Sequence, residues 1–528
     1  MEKKLSDMNW EVDTRDSSNQ IIRSTHNVHQ VKELLNSKGC GFCLAKFTQV
    51  TLHLGIGKVH SCHHPTAHII PLDEIAKSPS ALFNTQYLKR VRSEMLNGQR
   101  PPECGYCWRI EDNNELSDRF YKSLEPWAIE KHDSIQSCDP NSDFFPSYLE
   151  VDFSNVCNFK CVYCGPEFSS KWVEEIKQNG PIKLLDETKY VQWAQGWQKN
   201  LDELSYKNNE FNPYVDAFWK WWPEAYKHLK VYRITGGEPL LSKETFRSME
   251  YLINNPNPDL EFSINTNMGA PDKLWDKFVE QAEILANGEY VKNFTVFTSV
   301  DAWAERAEYL RPGLNFDLFK QRYEQLLQIG TVRVTTMVTY NVLSISSIQD
   351  LFEWHLFLRK KYNPNPVVAN LWEKDTGFNF GYPFESYTDR QKKSKNFKLI
   401  VGIDIPYLRH PTFLDPQFAT RNLIQEYLIP SINFMSFNRN NFSSIWNQYY
   451  GFEEFEIEKY KRVCLDILYN HKNEGNKDFA INRAKFYEFV NELDRRYKTN
   501  FLEVYPEYRE FYELGKEMKE RIIKGEYN

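Results

Sequence analysis

The sequence lacks any run of about 18 apolar residues, the length a membrane-crossing helix needs. Its opening, MEKKLSDMNWEVDTRDSSNQ, lacks the apolar core of a secretory signal. A cytoplasmic protein without a membrane partner is expected. Positive charge is not in excess either: 65 Lys and Arg stand against 72 Asp and Glu, a net −7. That balance argues against a chain devoted to coating nucleic acid or an anionic membrane. Internal repeats are absent, and beyond residue 164 cysteine almost disappears, with Cys464 alone in the last two thirds.

What is present is a chain of 528 residues with 41% apolar, 26% charged and 15% aromatic residues. This composition excludes a disordered chain and suits one large domain with satellites. Nine of the ten cysteines crowd into the first 164 residues, at positions 40, 43, 62, 104, 107, 138, 157, 161 and 164. In a reducing compartment such an uneven, clustered set marks metal or redox chemistry rather than structural disulfides.

Residues 1–37 are polar and read as a loosely packed lead-in ending in a short helical pattern. Residues 38–115 form a small α+β cysteine-rich module. In it GFCLAKFTQVTLHLGIGKVHSC reads as a hairpin around Gly55 and Gly57, and a helix follows from about Leu82 to Leu96, stopped by Asn97-Gly98. Residues 116–146 read as a polar linker. From 147 to 429 short apolar strands alternate with helical stretches: SYLEVDFS, KVYRIT, LEFSINT, NFTVFTSV and TVRVTTMVTY, then either NPVVANLW or FKLIVGID. The alternation predicts an α/β fold with a parallel sheet, a partial (β/α)6 TIM-like barrel. An aromatic-rich helical insertion spans about 168–228, and its Trp and Phe residues are expected to pack against the barrel. Residues 430–528 read as amphipathic helices forming a C-terminal cap.

The strongest motif is VDFSNVCNFKCVYCGP, in which Cys157, Cys161 and Cys164 stand as C-x3-C-x2-C just after a strand. Three thiolates on one short loop hold three irons of a four-iron cluster and leave the fourth open to chemistry. A zinc site would want four protein ligands. The motif, with the aromatic Tyr163 before its last cysteine, resembles that of the radical S-adenosylmethionine (radical SAM) superfamily. The resemblance continues in order along the chain. RITGGEPLL is similar to the glycine-rich element whose backbone and acid contact the methionine amino group, which makes Gly236, Gly237 and Glu238 cofactor-binding candidates. FSINTNMGA and FTSVDAW resemble the third- and fourth-strand segments near the ribose, adding Thr266, Ser299 and Asp301. ERAEYLRPGLNF looks like the segment that supplies an arginine to the S-adenosylmethionine carboxylate in peptide-modifying members. It points to Arg311, whose alternative reading is an ordinary surface arginine at a helix end. TTMVTYNV resembles the fifth-strand segment of the same enzymes, with Asn341 a candidate lining residue.

A second constellation is Cys43, thirteen residues, Gly57, four residues, Cys62, 41 residues, then Cys104-x2-Cys107. By ligand count it suits a four-iron cluster or a zinc ion. The spacing resembles the twitch module, a shortened SPASM module, which would hold an auxiliary four-iron cluster. In the family that module follows the barrel, whereas here it precedes it. Cys40 forms its own C-x2-C with Cys43 and competes for the first ligand position. His60, His63, His64 and His68 crowd Cys62 and are read as surface or supporting groups. Cys138 and Cys464 lack partner spacing and are read as structural.

The resemblance implies an enzyme that cleaves S-adenosylmethionine reductively to a 5′-deoxyadenosyl radical and takes hydrogen from a substrate. Its electron donor would be a flavodoxin or ferredoxin. A peptide or protein side chain is the favoured substrate. A dehydrogenase of a small hydroxylated metabolite is the alternative, and a zinc-binding scaffold protein is the reading from a different class.

Overall fold

In the computed structural model, residues 25–185, 205–207, 210–362, 400–408, 410–440 and 450–526 are described. They divide between two compact units, residues 1–155, 205–265 and 288–294 in the first and residues 156–204, 266–287 and 295–528 in the second.

In the first unit the alternating segment around Gly55 and Gly57 folds as the expected hairpin. Strand β1 (Gln49–His53) runs antiparallel to β2 (Lys58–His60), with Thr51 opposite His60. Gly57 has φ +64, and a Cβ there would lie 2.3 Å from the Tyr214 ring, so the turn admits only glycine. A short β3 (His68–Ile69) pairs with β2. The other edge of β1 was not anticipated: it pairs in parallel with β4 (Tyr148–Asp152), His53 in register with Asp152. Parallel strands β5 (Val231–Thr235) and β6 (Asn257–Thr266) follow, giving the order β3-β2-β1-β4-β5-β6. The expected strands SYLEVDFS, KVYRIT and LEFSINT are all present, and the cysteine-rich segment extends their sheet.

Three expectations need correction in this unit. The helix expected from Leu82 begins at Gln86, because Thr85 caps it by accepting from the Leu88 amide, and Pro79–Leu82 forms a separate 3-10 turn. The stretch read as a linker contains short helices at Asp118–Leu124, Pro126–Ile129 and His132–Gln136. Their Phe120, Leu124, Trp127 and Ile135 share a hydrophobic core with Val28, Val31 and Leu35 of the helix Thr25–Lys38, so the end of the lead-in is packed as well. The apolar residues in these segments recur at helical spacing, but they are diluted by charge. The aromatic helix Pro213–Ala225, capped by Asn212, buries Phe218, Trp221 and Trp222, and the Trp222 ring lies 4.6 Å from Tyr232 of β5.

Strand β7 (Val291–Ser299) carries the chain into the second unit, where it pairs in parallel with β8 (Arg333–Met337), and β8 with β9 (Val401–Asp404). Of the two candidates for a further strand, FKLIVGID supplies β9, while NPVVANLW lies outside the described residues. From Glu454 onward the described residues are mostly helical, with long segments at Glu454–Asn470, Lys477–Tyr497 and Arg509–Ile523. A fully buried Arg359–Glu456 ion pair at 2.8 Å joins the first of these to the helix Ile348–Tyr362. Among the described residues no helix is long and apolar enough to cross a membrane.

Candidate functional site

All ten cysteines are free thiols. In the second unit, Cys157, Cys161 and Cys164 sit on a loop pinned from two sides. The amides of Lys160 and Val162 donate to the carbonyls of Pro312 and Leu310 at 3.0 and 2.9 Å. At the start of the helix Ser170–Asn179, the Ser169 hydroxyl donates to the Phe159 carbonyl at 2.7 Å and the Ser170 hydroxyl accepts from the Cys157 amide at 3.2 Å. A Cβ on Gly269 would lie 2.5 Å from the Phe159 ring, and one on Gly313, at φ +112, would lie 2.8 Å from it. Both glycines are what allow the chain to close over the loop.

The pairing of Lys160 and Val162 with the 310–312 segment brings Arg311 to Cys161, its Nη1 donating to Sγ at 3.5 Å. Arg311 is buried, which rules out the surface reading. Its Nε and Nη2 fork onto Asp301 at 2.8 and 3.1 Å, and Nη2 also donates to the Tyr163 hydroxyl. Asp301, fully buried, accepts in addition from Tyr163 at 2.7 Å and from the Thr339 amide at 2.8 Å. Both carboxylate oxygens are therefore engaged inside the protein, so Asp301 acts first as the anchor of Arg311. Burial is the largest influence on the Arg311 guanidinium and opposes its charge; Asp301 more than restores it, so the group stays cationic beside the sulfur.

Further donors face Cys157: the Phe159 amide at 3.5 Å and Asn267 Nδ2 at 3.9 Å. Asn267 is held by Asn158 at 2.8 Å, and Asn158 in turn donates to the Gly269 carbonyl at 2.8 Å. Thr266, a candidate from the sequence, accepts from the Met268 amide at 3.0 Å and shapes the turn that presents Asn267. Ser299 ends β7, half-buried. Asn341 is not a lining residue: it is fully buried, with its amide donating to the Thr339 carbonyl and its oxygen accepting from the Leu343 amide. Burial pushes the Cys161 and Cys164 thiols up, and the neighbouring cysteines add to the effect on Cys164. The N–H donors aimed at the Cys157 and Cys161 sulfurs suit thiolates, the form in which a cluster would take them.

In the first unit Gly236, at φ +127, lies where a Cβ would be 3.1 Å from the Ser154 carbonyl oxygen, and the Gly237 amide donates to that same oxygen at 3.3 Å. Glu238 is buried, one carboxylate oxygen accepting from the Leu240 amide at 3.0 Å.

Also in the first unit, Cys43, Cys62, Cys104 and Cys107 line one cavity together with Lys46, His64, Trp108 and Arg119. Cys40 does not line it: it is exposed, and its thiol points to the Gly98 carbonyl at 3.8 Å. Of the histidines near Cys62, His64 reaches the cavity, stacked on Tyr106 with ring centroids 3.8 Å apart. Burial pushes the Cys62 thiol up to about 11 and those of Cys104 and Cys107 up to about 12. Lys46, 2% exposed and paired with Glu103, opposes this with a buried positive charge. Burial is the largest influence on Lys46 and lowers it; Cys104, Glu103 and Cys62 outweigh burial and keep it protonated. Among the described residues no three or more His, Cys, Asp or Glu side chains are gathered closely enough to hold a single ion, at this set of cysteines or at Cys157, Cys161 and Cys164. Cys138 packs against the hydrophobic core and Cys464 is buried in its helix, consistent with structural roles.

Sequence reasoning missed Lys46, Asn158 and Asn267. An isolated lysine or asparagine carries no spacing signal, and only the fold places Lys46 and Asn267 beside sulfurs and Asn158 against Asn267.

No curated protein matches the chain. Two solved structures of SuiB from Streptococcus suis are similar at 16% identity. The one bound to S-adenosylmethionine covers 72% of this chain and 76% of its own, with a TM-score of 0.29; the other covers 68% and 71%, with a TM-score of 0.28. Residues 151–355 match the Radical SAM superfamily model, and over that stretch the chain carries a radical SAM domain.

Proposed function

We propose that this chain is an enzyme that cleaves S-adenosylmethionine reductively, takes hydrogen from a peptide or protein side chain, and carries a second four-iron cluster at Cys43, Cys62, Cys104 and Cys107. The observation that carries the reading is the three-thiol loop inside the matched domain, with donors from Phe159, Asn267 and Arg311 directed at its sulfurs. Cys157, Cys161 and Cys164 would hold the cluster, which would supply the single electron that reductive cleavage of the sulfonium needs.

The chain's own residues do the rest. Gly236, which lies close against the Ser154 carbonyl, and Gly237 are assigned by the resemblance to the methionine end, and Glu238 would offer a buried carboxylate to its ammonium. Thr266 and Ser299 are the hydroxyls assigned to the ribose side. Asp301 holds Arg311, and Arg311 holds positive charge against Cys161. Phe159, Val162 and Trp172, all buried, keep water from the loop, which protects a radical from side reactions. The substrate class rests on the likeness of the fourth- and fifth-strand segments to peptide-modifying enzymes. The electron donor is a flavodoxin or ferredoxin, and the compartment is the cytoplasm.

The test is iron, sulfide and zinc per chain after anaerobic reconstitution, together with 5′-deoxyadenosine formation under reducing conditions. About eight irons and S-adenosylmethionine cleavage are expected for two four-iron clusters. Zinc without iron overturns the reading, and about four irons with one zinc overturns the second cluster alone.

A further inference from the structure

Cys62 sits on an irregular stretch between the end of β2 at His60 and the start of β3 at His68. No strand ladder fixes its backbone there. A ligand residue so placed needs another anchor, and the first unit contains one.

Because β1 lies between β2 and β4, three polar side chains from three adjacent strands meet on one face. The parallel register sets His53 beside Asp152, Nδ1 to Oδ2 at 2.7 Å. His53 Nε2 then meets His60 Nε2 at 3.0 Å, and His60 Nδ1 meets the Cys62 carbonyl oxygen at 2.5 Å. Proton accounting fixes both ends of this chain. A carbonyl only accepts, so His60 donates from Nδ1. A carboxylate only accepts, so His53 donates to Asp152 from Nδ1. A third proton joins the two Nε2 atoms, so the two rings share three protons and one positive charge, balanced by Asp152. Burial is the largest influence on His53 and opposes its charge, but the hydrogen bond to the Asp152 carboxylate and its negative charge outweigh burial and raise the group above its ordinary value.

We infer that Asp152, His53 and His60 are positioning residues for Cys62, a hydrogen-bonded chain that fixes the ligand's backbone against the end of strand β4. Asp152 anchors it from a buried, paired position, His53 transmits the orientation, and His60 delivers the bond. Outer groups that orient a ligand in this way set its geometry without touching the metal. The inference rests on the reading that Cys62 is a ligand.

The experiment compares the full chain carrying His60→Phe, His60→Asn or His53→Phe. Phe keeps the ring and removes both nitrogens, whereas Asn returns an amide N–H near the Nδ1 position. In metal-free, reduced protein, the rate at which iodoacetamide alkylates Cys62 is read by peptide mass spectrometry, with Cys104 as internal reference. His60→Phe is expected to speed Cys62 alkylation about tenfold, as loss of one hydrogen bond implies, with Cys104 unchanged and His60→Asn returning to within about twofold of the parent. His53→Phe is expected to fall between. In the reconstituted protein, His60→Phe is expected to change the electron paramagnetic resonance spectrum of the second cluster at an unaltered iron count. Unchanged Cys62 rates in both Phe variants overturn the inference, as does equal acceleration of every cysteine, which would mean general loosening. Iron content of the parent protein reports separately on the second cluster, so a parent with about four irons defeats that reading while the alkylation rates still judge the chain.

Discussion

Cys157, Cys161 and Cys164 come from a single loop of eight residues, whereas Cys43, Cys62, Cys104 and Cys107 come from separate segments spread over 65 residues. The first group is nearly preassembled by chain connectivity, and its surroundings serve to shape the loop. The second exists only once the hairpin β1–β2, the turn after it and the Pro102–Cys104 turn have packed around a common space. On the proposed reading ligand number would differ in the same sense, three thiols leaving a metal position open and four closing it. Yet each site carries a buried cation with its own carboxylate, Arg311 with Asp301 in one and Lys46 with Glu103 in the other. A set of thiolates in a low-dielectric interior needs opposing charge, whichever way it is assembled.

The sharpest way to break this comparison is Cys161→Ala. It is expected to abolish 5′-deoxyadenosine formation while leaving the chain folded, and full cleavage in that variant would sink the role of the loop. Cys107→Ala should cost about half the iron, retain S-adenosylmethionine cleavage and lose substrate turnover. Loss of the fold instead would mean that the four-thiol site is structural. Arg311→Gln leaves Asp301 buried without its cation, so thermal or urea unfolding should report a loss of about 3–5 kcal/mol. Asp301→Asn in the same background should then cost much less than it does alone, because the charge needing a partner is gone. Lys46→Met is the mildest: Glu103 is 11% exposed and keeps the Tyr87 hydroxyl as a partner, so about 1–3 kcal/mol is expected, with weaker iron loading of the second site read by iron content. If Lys46→Met proves costlier than Arg311→Gln, the order of dependence on the two cations is reversed.

Some of this was legible before folding. The alternation of apolar runs announced β4 to β8, because side-chain periodicity is a local property of the backbone. The C-x3-C-x2-C loop was legible for the same reason, as was the hairpin at Gly57. The helices in residues 116–146 were not, since Phe120, Leu124 and Trp127 make a buried face only when the helix Thr25–Lys38 supplies the other half. Nor was the partner of Asp301: the resemblance assigned Asp301 to the ribose side and Arg311 to the carboxylate of one cofactor, and in the fold the two contact each other.

By itself, then, the sequence determined the candidate ligand residues, the strands beside them and the glycines that the turns demand. All of these depend on spacing along one stretch of chain. Tertiary structure alone decided that Lys46 is buried beside Cys62 and Cys104, and that β1 lies against β4 so that His53 meets Asp152. Each of those outcomes is a contact between residues dozens of positions apart. Such contacts are chosen by which apolar faces bury together and which buried charges find partners, and no local pattern encodes that choice.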